Sequence, residues 1–174
     1  VLPPLVALYA AGLATKRTDL REAVTGCGTS WFSQSMMRQA TYRLVARARP
    51  DTSPDDPQRW GLPGDGKNWQ LQSFPAGHLA NAMACASFWS NRYHLGYGEP
   101  ALYALAAIVG LGRIADAGHW TSDSVLGGII GYATGREIAR RSRVRAERAA
   151  TPDGVRFVLR SRSFEPTVAF AIRF

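Results

Sequence analysis

His119 and Asp123 lie four residues apart in "GHWTSD". If the chain is helical from Trp120 onward, both side chains approach one face. A carboxylate accepting from one imidazole nitrogen fixes the tautomer and leaves the other nitrogen's lone pair free. A nucleophilic or basic ring needs that arrangement. The plainer alternative is a first-turn aspartate complementing the helix dipole beside an incidental histidine. His78 follows Pro75-Ala76-Gly77 at a loop-to-helix transition. Gly77 lets backbone come close to a ligand, and amides at a helix N-terminus bind anions. An imidazole at that mouth can protonate a leaving group; the bland alternative is a helix start with a solvated histidine. Arg49, closing "RLVARARP", and Arg113, in "GRIADAGHW", carry planar forks matched to phosphate oxygens. Taken singly, arginines in a basic chain are mostly solvated surface.

These residues need elements to hold them. "PPLVALYAAGLA" reads as a short first helix entered through prolines. Asp19 to Ala48 carries helix-compatible spacing, with Asp19 as N-cap and Pro50 as the stop. Asp51 to Phe74 is rich in Pro, Gly and Asp and reads as one long loop, a wall of the site with Trp60 and Trp69 as candidate contacts. Helical patterns return at Gly77–Tyr93, Glu99–Asp116 and Thr121–Ala146. "GVRFVLRS" and "TVAFAIRF" are β-rich and partly alternating, which predicts a terminal strand pair. The expected architecture is all-α, with a helical domain over residues 1–149 and a short β-rich tail over 150–174.

The 174 residues suffice for one domain with a real core. The net charge of +8 is carried almost wholly by arginine, since the only lysines are Lys16 and Lys67. That balance favours anionic partners: phosphorylated molecules, anionic lipid or nucleic acid. Cys27 and Cys85 fit no zinc spacing and read as two small buried thiols, with a disulfide left open. The longest apolar stretches reach only about a dozen residues, short of the ~20 that span a bilayer.

Together and in order, R-P, P-x-G-H and R-x5-H-x3-D resemble the motifs of the phosphatidic acid phosphatase type 2 superfamily. That family includes bacterial acid phosphatases, lipid phosphatases and vanadium haloperoxidases. The resemblance runs from about Ala40 to Gly131 and implies an all-helical core. It also implies that His119 attacks phosphorus to form a phosphohistidine, while Asp123 orients and charge-stabilises that ring. His78 would protonate the departing alkoxide, and Arg49 and Arg113 would hold the equatorial oxygens. Phosphoryl transfer rests mainly on positioning and on stabilising spread charge, so neither a metal nor another cofactor is called for if arginines suffice.

Three phosphate-contacting positions depart from the family pattern. Its lysine falls at Tyr42, its motif serine at Ala76, and the serine before the second arginine at Gly112. Tyr42 can donate one neutral hydrogen bond, and the amides of Ala76 and Gly77 remain for phosphate. Arg43 lies about 100° round the helix from Tyr42. Arg38, one turn earlier, leans towards the helix N-terminus and away from Arg49. Neither is placed as a stand-in, so an active enzyme with weakened or altered phosphate recognition is expected.

The implied substrate is a phosphorylated small molecule or lipid head group. The competing readings are a non-catalytic anion or membrane-surface binder and a vanadate-dependent haloperoxidase. The six arginines of Arg136–Arg148 are the candidate contact with an anionic membrane surface, against the plainer reading of a solvated helix end. No nucleic-acid-binding signature accompanies them. Soluble members of the superfamily are commonly exported, so a periplasmic or extracytoplasmic setting is expected; a start at Val1 is compatible with a removed leader.

Overall fold

A computed structural model of the chain describes residues 2–150, which form five helices and no named strand. They are α1 (Leu2–Ala14), α2 (Thr18–Leu44), α3 (Gly77–Tyr93), α4 (Gly98–Ala115) and α5 (Thr121–Ala150). The expected all-α class holds for these residues. The strand pair expected at the C-terminus lies outside them.

Helix α3 is central and packs against α2, α4 and α5. Its contact with α5 depends on small residues at helical spacing. Gly127, Gly131 and Gly135 recur every four positions and face Ala76, Ala80 and Ala84, which do the same. A β-carbon at Gly127 would lie 2.7 Å from the Ala76 carbonyl oxygen. At Gly131 and Gly135 it would overlap the carbonyl oxygens of Ala80 and Ala84. The two backbones therefore run in close apposition, and their register lets the Ala76 amide at the start of α3 donate to the Asp123 carbonyl on α5.

Cys27 and Cys85 are joined in a disulfide that ties α2 to α3. The expectation of two separate thiols is thus corrected. The α2–α3 crossing that brings them together follows from Gly26, whose missing side chain admits the wholly buried Phe88 ring. On the loop-entropy account, closing a loop of 58 residues stabilises the fold by roughly 4 kcal/mol.

Helix α2 is shorter than its periodicity predicts. It ends at Leu44, not at Ala48, and the cause is tertiary pairing and not Pro50. Beyond Val45 the chain runs extended and is paired by the long loop on two sides. Gly61 N donates to Ala46 O (2.6 Å), Ala48 N to Arg59 O (3.0 Å), Arg49 N to Gln70 O (3.0 Å) and Ser73 N to Arg47 O (3.1 Å). Ala46 and Ala48 are buried beneath that cover. At the other end Arg17, not Asp19, is the N-cap residue, and Asp19 sits in the first turn in an ion pair with Arg17 at 2.6 Å.

Helices α4 and α5 carry large apolar residues in the open, among them Leu105, Ile108, Leu111, Val125 and Ile129. Among the described residues, no helix is long and apolar enough to cross a membrane.

Candidate active site

His119 lies in the α4–α5 connection, two residues before α5 begins, and is only 2% exposed. Its Nδ1 is 2.6 Å from the Ser73 carbonyl oxygen. A carbonyl can only accept, so Nδ1 carries the proton and the Nε2 lone pair is left free. His78, the second residue of α3, is exposed, and its ring centroid is 6.5 Å from that of His119. At that distance the two imidazoles do not bond one another.

Asp123 is placed differently from expectation. His119 precedes the helix, so the i,i+4 geometry that would bring carboxylate and ring together does not apply. The wholly buried Asp123 carboxylate instead accepts from Ser73 Oγ (2.5 Å) and is ion-paired with Arg47 Nη1. Its link to the imidazole runs through Ser73, whose hydroxyl meets the carboxylate and whose carbonyl meets the ring.

Arg47 is the anchor that the sequence reading missed. It is buried, donates to the Pro57 carbonyl through Nε and Nη2 and to Ser122 Oγ, and lies against the rings of Trp60 and Trp120. Its signal was the R-x-R spacing of Arg47 and Arg49, which has structural meaning only in an extended segment. Ser73, just ahead of the proline motif, was missed because nothing in its neighbours marks its two-sided role.

Arg49 stacks on Trp69, with 5.0 Å from guanidinium carbon to ring centroid. Arg113 pairs with Asp116 at 3.1 Å and lies over Gly118, where a side chain would collide with it. Arg38 reaches the start of α3: its guanidinium carbon is 3.0 Å from where a β-carbon of Gly77 would sit. The Nε atoms of Arg38, Arg49 and Arg113 are all buried, without a hydrogen-bond partner among the described residues. Trp60 and Trp69, expected as substrate contacts, are half exposed and stack on Arg47 and Arg49.

The titrations follow from this setting. Burial holds the His119 imidazole down to about 4; Arg49, Arg113 and His78 push the same way, and the Ser73 hydrogen bond opposes them. Partial desolvation lowers the exposed His78 ring from its ordinary value, and Arg113, Arg38 and Arg49 act the same way.

The positions that depart from the family pattern are occupied as follows. The Tyr42 hydroxyl donates to the Pro75 carbonyl (3.1 Å) and is buried, so it braces the motif loop and is not free to meet a phosphate. The Ala76 amide is likewise engaged, donating to the Asp123 carbonyl (3.0 Å). Helix geometry leaves the amides of Gly77, His78 and Leu79 without intrahelical partners. Gly112 is in the open, with nothing near the position of a β-carbon. In the Arg136–Arg148 run, Arg140 and Arg141 are ion-paired with Glu137 on their own helix.

An apolar groove of about 370 Å³ is lined by Leu79, Met83, Ser124, Val125, Gly128, Ile129 and Tyr132. Leu79 and Ser124 directly follow His78 and Asp123 in the chain.

The chain is similar to a lipid A 1-phosphatase from Porphyromonas gingivalis, 38% identical over 69 residues, which is 36% of this chain and 15% of that protein. It thus spans about a seventh of its relative's length. No solved structure matches it. The family model for the PAP2 superfamily matches residues 24–146, a span that holds His78, His119, Asp123, Arg49 and Arg113. The chain belongs to the PAP2 superfamily.

Proposed function

We propose that the protein is a phosphatase that hydrolyses a phosphomonoester with an apolar substituent, through a phosphohistidine on His119. The observation that carries this reading is the His119 ring itself. It is buried, neutral and held by Ser73 in the tautomer with a free Nε2 lone pair, opposite His78 and beside Arg49 and Arg113. Nε2 attacks phosphorus, a P–N bond forms, and the ester P–O bond breaks. The leaving alkoxide takes a proton from His78. Water, deprotonated by His78, then attacks the phosphohistidine; the P–N bond breaks and inorganic phosphate departs. Arg49, Arg113 and the free amides of α3 stabilise the spread negative charge, so no metal is assigned a role.

His78 must act as an acid, yet partial desolvation and three arginines disfavour its charged form in the free protein. A bound phosphate dianion reverses that balance, so substrate binding and protonation of His78 are coupled. The apolar groove favours a lipid-like substituent, in keeping with the relative's name. The Cys27–Cys85 disulfide supports an oxidising, extracytoplasmic setting.

Turnover of p-nitrophenyl phosphate by the wild type, His119→Ala and His78→Ala tests the reading. Wild-type turnover is expected to be unaffected by EDTA and to fall by about 10³-fold or more in His119→Ala, a loss of ~4 kcal/mol of transition-state stabilisation. Equal rates for wild type and His119→Ala would overturn it.

A further inference from the structure

We propose that Arg38 is a third phosphate-binding arginine of the site, supplying from α2 the cation that position 42 does not carry. The inference rests on reading the site as a phosphatase centre, and it adds a residue to that centre.

Arg38 stands one helical turn before Tyr42, and its guanidinium lies over the Tyr42 ring, 5.8 Å from carbon to centroid. Both side chains lean towards the N-terminus of α2, as helical side chains do. The start of α3 packs beside these turns of α2. Tyr42 meets Pro75 there, and Arg38 meets Gly77. The absence of a side chain at Gly77 is what admits the guanidinium, because a β-carbon would overlap its Nη1. The family's glycine in this motif therefore has a second use in this chain.

Three features separate Arg38 from an ordinary surface arginine. It has no acidic partner among the described residues, whereas Arg113 and Arg47 do. Its Nε is buried and unpartnered, as are those of Arg49 and Arg113. It is also near enough to His78 to act on it with those same two arginines. Three cations converge on one imidazole at a helix N-terminus and repel each other, and among the described residues only Arg113 has an ion-pair partner, Asp116. A phosphate dianion supplies counter-charge, and a guanidinium fork suits its oxygens.

The test is binding of inorganic phosphate, measured by calorimetry on the full chain, for wild type, Arg38→Ala, Arg38→Lys and Arg43→Ala. Arg43 is the exposed neighbour that shares the bulk charge without reaching α3. Arg38→Ala should weaken phosphate binding about ten- to a hundredfold, with Arg38→Lys between it and wild type and Arg43→Ala within twofold. The His78 titration, followed by NMR, should move up in Arg38→Ala, because one repelling cation is gone. Thermal melts identify any variant that fails to fold, and Arg38→Lys keeps the comparison available in that case. Wild-type affinity in a folded Arg38→Ala, beside loss of binding in Arg49→Ala, would overturn the role of Arg38 and leave the phosphatase reading intact. No phosphate binding and no turnover by folded wild type would overturn both.

Discussion

A buried neutral histidine makes the protein sensitive to acid in a direction that can be worked out. The folded-state value of His119 is about 4 against an ordinary 6.5, so between those values the unfolded chain binds more protons. Its contribution is fully present above about pH 6.5 and is lost as pH falls towards about 4, a change on the order of 3 kcal/mol. Urea midpoints at pH 7 and pH 4.5 should show that loss, and His119→Ala should flatten it. Asp123 makes a second residue-scale prediction. Asp123→Asn keeps the shape but removes the charge facing Arg47, and it upsets the Ser73 hydroxyl bond. Since Ser73 also holds the ring, kcat should fall about ten- to a hundredfold. The variant should also melt lower, because Arg47 is left as a buried unpaired cation. An unchanged kcat would show that Asp123 serves stability alone.

At the scale of elements, the geometry of the candidate site depends on the apposition of α3 and α5. Asp123 belongs to α5, His78 to α3, and the Asp123 carbonyl accepts from the Ala76 amide between them. Gly131→Ala puts a methyl group onto the Ala80 carbonyl and must push the two helices apart. Overpacking of this kind costs roughly 1–3 kcal/mol, and here it also separates the two halves of the site. The expected outcome is a lower melting temperature together with reduced turnover. Gly128→Ala has ordinary contacts at 3.5 Å or beyond and should leave stability near wild type. Equal melting temperatures for the two variants would sink this account of the helix pair.

At the scale of the molecule, a polar centre and an apolar groove sit among helices with exposed apolar faces. A substituent that seats in the groove gains about 0.8 kcal/mol per buried methylene. In a series of n-alkyl phosphates, KM should therefore fall by about tenfold for every two methylenes until the groove is filled. Gly128→Leu, which projects into the groove, should erase that dependence. A KM indifferent to chain length in the wild type would favour a small polar phosphate instead.

Much of this was legible in the sequence. Order and spacing of arginine, histidine and aspartate around short loop-to-helix transitions resemble the PAP2 motifs, and that resemblance implied phosphate chemistry and a helical core. α3, α4 and α5 carried helical spacing close to their observed limits. Apart from the N-cap of α2, the errors arose where non-local contacts decide. Residues 45–48 have helical spacing, but pairing with the long loop on both sides holds them extended. Cys27 and Cys85 look like isolated thiols until α2 crosses α3. Arg38 was set aside because its lean towards the helix N-terminus takes it away from Arg49; in the fold the start of α3 lies in that direction, and Gly77 admits the guanidinium.

The sequence by itself determined which chemical groups are present and on which local elements they stand, since a helix start or a Pro-Gly turn is written within a few residues. Only the tertiary structure decided who touches whom. Ser73, not Asp123, holds the His119 ring, Arg47 neutralises the buried Asp123 carboxylate, and Arg38 joins Arg49 and Arg113 around His78. The reason is physical. Hydrogen bonds and ion pairs are settled within a few ångströms, and the residues forming these span nearly eighty positions of the chain.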